Sequence, residues 1–493
     1  MIFNSIDFLI FFPIVLAIYF VIPKKARYIW LLVASYYFYM SWNAKYALLI
    51  LISTLVTYGC ALFIEKSDTK GQRKAILWTG ILINLLILAF FKYFNFLADN
   101  IDMLLSMIGV SKVRRFDILL PVGISFYTFQ ALGYMIDVYR GDIKAEKNPL
   151  RYALFVSFFP QLVAGPIERS KRLLSQVQDV ENIKLWDYER IKDGAVLMLW
   201  GLFLKMVLAD RAAIFVDTVY NRYWIYGSIE LIVASILFAL QIYCDFASYS
   251  IIAIGASKVM GFELMDNFNT PYMAVSVRDF WRRWHISLST WFRDYLYIPL
   301  GGSRCSKGKN YINILITFLV SGLWHGADWS YVVWGGLHGV YQIVEKALTG
   351  TFEKLKIKFE FKTESVSYKL GQMIYTFILV DFAWIFFRAS SIKDALSIIK
   401  RIIMKWNPWV LFDKSLYNCG LDMTGMHILL VAVIILVVMD IIRYKSALSP
   451  EAFLKRQAFW FRWVFIWGLM YMILAYGIYG PAYDAASFIY FQF

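Results

Sequence analysis

Apolar residues in this chain fall into long blocks instead of alternating with polar ones. The blocks are Phe8–Ile22, Tyr28–Ile64, Ala75–Leu97, Ile118–Ile136, Ala195–Leu208, Leu231–Ile254, Tyr311–Leu323, Tyr331–Val344, Met373–Phe387, Ile428–Ile442 and Phe459–Tyr476. A helix needs about 20 apolar residues to cross a bilayer. Several blocks are shorter, and read as broken or tilted helices buried against their neighbours, because unpaired backbone cannot face lipid. The pattern predicts an all-α, polytopic integral membrane protein with roughly ten to twelve transmembrane helices.

Composition agrees. The 493 residues are 60% hydrophobic, 19% aromatic and only 17% charged, against about 25% charged in a soluble globular chain. The mean hydropathy is +0.57. A net charge of +15 raises nucleic acid as a partner, but the placement of the basic residues points elsewhere. They gather between the apolar blocks: Lys24, Lys25 and Arg27; Lys66, Lys70, Arg73 and Lys74; Arg140, Lys144, Lys147 and Arg151. Further along come Lys354, Lys356, Lys358, Lys362 and Lys369, then Arg443, Lys445, Lys455 and Arg456. This is the positive-inside pattern, which puts these loops in the cytoplasm and both termini outside. Lys112, Arg114 and Arg115 depart from it. The N-terminal block does not read as a cleavable signal, since it lacks a basic leader and a small-residue cleavage site and contains Asp7 and Pro13. The four cysteines, Cys60, Cys244, Cys305 and Cys419, have no paired spacing, which argues against a disulfide framework or a zinc site.

Three stretches break the apolar pattern. Gly165–Asp193 mixes Glu168, Arg169, Lys171, Arg172, Asp179, Glu181 and Lys184 with scattered apolar residues, as a surface-lying helix does. Residues 263–310 are rich in aromatics and in Arg278, Asp279, Arg282, Arg283, Arg293 and Asp294. There Asp279 and Arg283 stand at i,i+4 and can pair. Phe280 and Trp284 share another face, and Pro271 and Pro299 bound the element. It reads either as an interfacial amphipathic helix or as a re-entrant element lining a polar cavity. In Ser391–Gly425, Ile392, Ala395, Ile399 and Ile403 share one helical face. The stretch that follows, with Asp413, Lys414 and Asn418, is a solvated loop or a docking surface.

The chain has four histidines, and two lie in apolar, glycine-punctuated sequence: Ser321-Gly322-Leu323-Trp324-His325-Gly326 and Trp334-Gly335-Gly336-Leu337-His338-Gly339. An unpaired polar group in apolar surroundings costs roughly 2–7 kcal/mol, so each has a partner or a job. A buried, neutral imidazole at His325 suits a general base for a hydroxyl attacking a thioester. A structural histidine bonded between helices fits the same residues. His338 follows thirteen residues later, which on one continuous helix is a different face. A break near Gly326–Trp329 re-aims it, and a structural role is expected for it. His285 joins the site only by tertiary approach, and His427 opens an apolar block. Among carboxylates, Asp245 lies deep in an apolar block with no base near it in sequence. Asp137 is expected in a helix–helix hydrogen bond, and Asp381 in the same or in a pair with Arg388. Residues alone leave open a transporter with histidine and aspartate relays.

Longer motifs carry a resemblance. Asn267-Phe268-Asn269-Thr270-Pro271-Tyr272, the run Arg278-Asp279-Phe280-Trp281-Arg282-Arg283-Trp284-His285 continuing to Gly302, and the two histidine motifs closely resemble the membrane-bound O-acyltransferase family, in its alginate O-acetylase branch. Supporting matches are Pro121–Phe126, Asp137–Gly141, Phe159–Pro166 and the closing Phe488–Phe493. The resemblance implies one membrane domain over 1–493, with N-terminal hairpins in 1–100, a family core in 118–345 and C-terminal helices in 371–493. Its helices would surround a central funnel and tunnel. It implies His325 as the active-site histidine and His285 as its recurrent companion, with Trp324, Asp245, Arg282 and Asn269 as substrate-binding candidates. Trp324 is a candidate oxyanion donor through its indole N–H. The family pattern near Asp245 has a second aspartate where this chain has Ile251, so no role is carried over for it.

The implied donor is acetyl-CoA, with no metal, at the bacterial cytoplasmic membrane, and the implied acceptor is an exported polysaccharide. The related D-alanyl transfer to teichoic acid uses an acylated carrier protein instead. Because the loops between helices are short, recognition of a long carbohydrate is expected to fall to a separate extracytoplasmic SGNH-like serine acyltransferase. The positive-inside count also makes a topological prediction: an alkaline phosphatase fused after Phe493 is active and a fluorescent protein there is dark, and the reverse result overturns the assignment.

Overall fold

A computed structural model of the chain describes residues 1–107, 115–116, 120–163 and 165–479. Every regular element among the described residues is helical. Lys112, Arg114, the start of the Ile118–Ile136 block, Ala164 and the Phe488–Phe493 ending lie outside the described residues. Among the described residues six helical segments are long and apolar enough to cross a membrane: Ala44–Lys66, Lys70–Ser106, Ser228–Met260, Val366–Arg388, Met423–Ser446 and Phe459–Tyr476. This is a multi-pass membrane protein.

Two sequence readings change. The single block Tyr28–Ile64 is two helices, Arg27–Met40 and Ala47–Lys66. Asn43 makes the break, since its side chain accepts from the Lys45 backbone N–H and caps a short 3₁₀ turn. The basic stretch Lys354–Lys358 is not a loop but the end of a helix running from Trp329 to Lys358, which outruns its apolar block.

The chain forms two compact units, Met1–Ala195 with Ala253–Met265, and Val196–Ile252 with Asp266–Phe493. In the first, Phe8, Phe11, Phe38 and Phe159 form an aromatic core, Phe11 meeting Phe159 edge-on at 5.4 Å. Two buried polar pairs cross between its helices: Ser53 with Asn84 at 2.6 Å, and Thr57 with Tyr152 at 2.7 Å. Gly165–Asp193 is less superficial than its charges suggest. Leu173, Leu174 and Val177 of the helix Ser170–Gln178 are buried. Glu168 is buried too, accepting from the Met265 backbone N–H, and burial pushes its carboxyl up to about 7.

In the second unit six helices matter for the site: α1 (Ser228–Met260, whose residues to Ile252 belong to this unit), α2 (Val277–Arg283), α3 (Ile286–Phe292), α4 (Lys307–His325), α5 (Trp329–Lys358) and α6 (Val366–Arg388). Ser276 caps α2 by accepting from the Asp279 N–H at 3.0 Å, and Glu345 from α5 accepts from the Val277 N–H at 2.7 Å. The expected Asp279–Arg283 pair forms at 3.0 Å. Phe280 and Trp284 stack at 5.4 Å.

The closest helix pairing joins α4 and α5, which fold back on each other after the predicted break at Gly326. Asp328 caps the new helix by accepting from the Ser330 N–H at 2.7 Å. Glycines let the two backbones touch: a Cβ on Gly335 would meet the Phe318 carbonyl and lie 3.1 Å from the Gly322 Cα. We expect Gly335→Ala to destabilise the protein by about 1–3 kcal/mol through this overpacking, read as a lower melting temperature in detergent. Gly308→Ala, with nothing within 4 Å of the new Cβ, serves as control. Equal melting of the two variants contradicts the close approach.

Candidate active site

His325 is the last residue of α4 and is 3% exposed. Aromatic rings enclose it: Trp324 and Trp334 edge-on, each 4.9 Å between centroids, and Phe387 at 5.6 Å. The break after His325 is what turns Trp334 of α5 back onto it, while α6 adds Phe387 and Trp384, the latter stacked on Trp334 at 5.5 Å. The His285 ring lies 6.4 Å from the His325 ring, so tertiary structure joins the two histidines that lie forty residues apart in sequence.

His285 is fully buried at the junction of α2 and α3, with a left-handed backbone (φ 44°), a conformation uncommon outside glycine. Its strain is held by Asn267, whose carbonyl accepts from the Ile286 N–H at 2.9 Å. The Asn267 side chain does more. Its Oδ1 accepts from the Ser287 backbone N–H at 3.3 Å and from the Ser287 hydroxyl at 2.9 Å, while Nδ2 donates to Ser250 Oγ at 3.0 Å. A backbone N–H can only donate, so this atom is the amide oxygen. His285 Nδ1, 3.0 Å from the same oxygen, must therefore carry the proton and donate, leaving the lone pair on Nε2. Burial holds His285 well below the ordinary imidazole range, hence neutral. Phe246 of α1 packs edge-on to it at 4.5 Å.

His338 also meets Trp334, at 5.1 Å, and accepts on Nδ1 from the Trp281 indole N–H at 3.2 Å. The other candidates separate. Trp324 stands beside both His325 and His285, the latter at 5.9 Å. Arg282 lines a cavity of about 1260 Å³ together with Arg278, Arg293 and Lys346; Trp281, Phe318 and Ser321 close part of its wall. Asn269 is exposed, and its backbone N–H donates to the Arg283 carbonyl at 2.9 Å. His427 is exposed near Tyr417.

Asp245 is not isolated from bases. Lys205, 1% exposed, donates to it at 2.6 Å and contacts Asp210 at 2.8 Å. Sequence reasoning missed Lys205 because it lies forty residues away inside an apolar block; its burial there was the available signal. Asp137 accepts from Ser170, and Asp381 from Ser235 at 2.8 Å. Arg388 pairs with Asp217, not Asp381. Among the described residues no group of three or more histidines, cysteines or carboxylates is placed to hold a metal.

Buried imidazoles within a multi-pass helical protein, next to a cavity lined by arginines and a lysine, fit the class of membrane-embedded group-transfer enzymes. Residues 145–391 match the model of MBOAT, the membrane-bound O-acyltransferase family, and the chain belongs to that family; it is an acyltransferase. It is similar to the probable alginate O-acetylase AlgI of Pseudomonas aeruginosa, 36% identical over 87% of this chain and 79% of that one. The peptidoglycan O-acetyltransferase of Helicobacter pylori is 35% identical over 80% and 78%. The teichoic acid D-alanyltransferase of Bacillus subtilis is 27% identical over 54% and 68%.

Asn267, quoted from the sequence only as part of a motif, is the residue on which the His285 tautomer depends. Asn267→Ala should cost about 1–3 kcal/mol by stranding buried donors, while Asn267→Asp keeps an acceptor oxygen and loses less. Unfolding of the purified protein checks this, and a wild-type melting temperature for the alanine variant contradicts it.

Proposed function

We propose that this protein O-acetylates an extracytoplasmic polysaccharide, with acetyl-CoA as donor and His325 as general base. The observation that carries the reading is the His325 imidazole, buried in an aromatic cage beside His285. Four basic residues against two carboxylates, Glu345 and Glu353, line the cavity, and this positive balance suits a polyanionic coenzyme A. The positive-inside pattern supports a cytoplasmic side for the neighbouring Lys354, Lys358 and Lys369, at the bacterial cytoplasmic membrane.

An acceptor hydroxyl gives its proton to His325 as its oxygen bonds to the thioester carbonyl carbon. The carbon–sulfur bond then breaks, and the proton passes to the leaving thiolate. Positive charge on His325 would sit at the carbonyl end of α4, where it is favoured. The neutral, oriented His285 positions the reacting groups, and Trp324 offers an indole N–H to the oxyanion. Arg282 binds the donor. Asp245 and Asn269 act as scaffold in this reading, one tied to Lys205 and the other to Arg283 through its backbone.

The acceptor hydroxyl belongs to a separate SGNH-like serine acyltransferase docked outside, which passes acetyl to the polymer. Relatives acting on alginate and on peptidoglycan cover more of the chain than the D-alanyltransferases, which favours acetyl over D-alanyl.

His325→Ala should insert and fold yet lose about 10²–10⁴-fold in transfer, with His285→Ala less severe. Liposomes with internal acetyl-CoA and external polysaccharide should acetylate the polymer only when the partner is present. Near wild-type transfer by a well-expressed His325→Ala protein overturns the base assignment, and efficient acetylation without a second protein overturns the relay.

A further inference from the structure

The large cavity and His325 are divided by indole rings. Ser321, in the cavity wall, lies one helical turn before His325 on α4. Next to it in the wall are Phe318 and Trp281, whose rings meet edge-on at 5.1 Å. Behind Trp281 stands Trp334, at 5.7 Å, and Trp334 in turn touches His325. An acyl group entering from this part of the cavity has Trp281 and, behind it, Trp334 between itself and His325, so packed rings lie ahead of its leading end. Trp281 is 7% exposed and Trp334 fully buried. Interiors packed this way leave no room for added methylenes without displacing a ring.

What holds Trp281 is His338. Its Nδ1 accepts the indole N–H, and its ring is edge-on to the indole at 5.1 Å. Phe280 stacks on the other imidazole face at 6.1 Å, and the ring is fully buried. A lone acceptor in such surroundings fixes the indole angle, since any rotation strands the N–H. This gives a use to a histidine that lies away from the reacting centre.

We propose that Trp281, latched by His338, sets the acyl length of the donor, stopping it at two carbons. The proposal rests on the reading of the cavity as the acyl-CoA site. Trp281 is a specificity determinant and His338 a positioning residue.

Equilibrium binding to the full-length protein in detergent tests this without an acceptor, using coenzyme A, S-ethyl-CoA and S-butyl-CoA as stable probes. One methylene in a closed apolar pocket changes discrimination by roughly 10–200-fold. The wild type should thus bind S-butyl-CoA at least about tenfold more weakly than S-ethyl-CoA. Trp281→Ala, or the milder Trp281→Phe, should bring that ratio toward one while coenzyme A still binds, which also reports that the variant is folded. His338→Leu should relax the ratio in the same way, and His338→Gln, which keeps an acceptor, should restore it. A ratio that stays at its wild-type value in Trp281 and His338 variants that still bind coenzyme A overturns the length determinant and leaves the donor site standing. A wild type that binds none of the three probes overturns the donor-site reading, and this proposal with it.

Discussion

The site depends on a single acceptor atom, Asn267 Oδ1. It gathers three donors, the Ser287 N–H, the Ser287 hydroxyl and the His285 Nδ1–H. Without it the imidazole could adopt either tautomer, and the left-handed turn at His285 would keep only the Asn267 backbone carbonyl to hold it. With it, the proton is placed on Nδ1 and the ring stays neutral. A carboxylate in this place would bring a charge into a buried setting and favour imidazolium. An amide keeps the neighbourhood uncharged, which suits chemistry that begins with proton removal.

Charge is handled differently elsewhere in the same unit. Lys205, Asp245 and Asp210 are all nearly inaccessible and mutually paired, because an unpaired ion there would be prohibitive. Lys205 lies in a π-helical stretch, Leu204–Ala209, a local widening that commonly marks a residue re-aimed for a purpose. The ammonium also lies over the Tyr249 ring at 5.9 Å. This cluster anchors α1, the helix that supplies Phe246 and Ser250 to the His285 environment.

The remaining contacts at the histidines are aromatic. Trp284, Trp334 and Trp384 are among the largest fully buried side chains, and their edge-on and stacked arrangements recur around His325, His338 and His285. Such rings exclude water from the reacting centre and are stiff, with few rotamers to lose. Close approach of α4 and α5 through Gly322 and Gly335 presses Trp334 between the histidines. A larger residue at either glycine would move the indole and the imidazole together.

The sequence by itself determined the membrane setting, since long apolar blocks with basic residues between them admit only helices across a bilayer. It pointed to a break near Gly326–Trp329, which the structure closes with the Asp328 cap. The short-range order of α2 was equally legible, because pairs such as Asp279 with Arg283 and Phe280 with Trp284 follow from helical spacing. His325 stood out because an imidazole is costly in apolar surroundings. Tertiary structure alone decided which distant groups met. Nothing in spacing links Asn267 to the His285 tautomer, Lys205 to Asp245, Asp217 to Arg388 or Trp281 to His338. Each of these joins residues on different elements, and a polar atom's partner is chosen by which backbone folds against it. For that reason Asp245 looked isolated in sequence and is paired in space, and the partner of His338, expected only to be structural, emerges as the indole in the cavity wall.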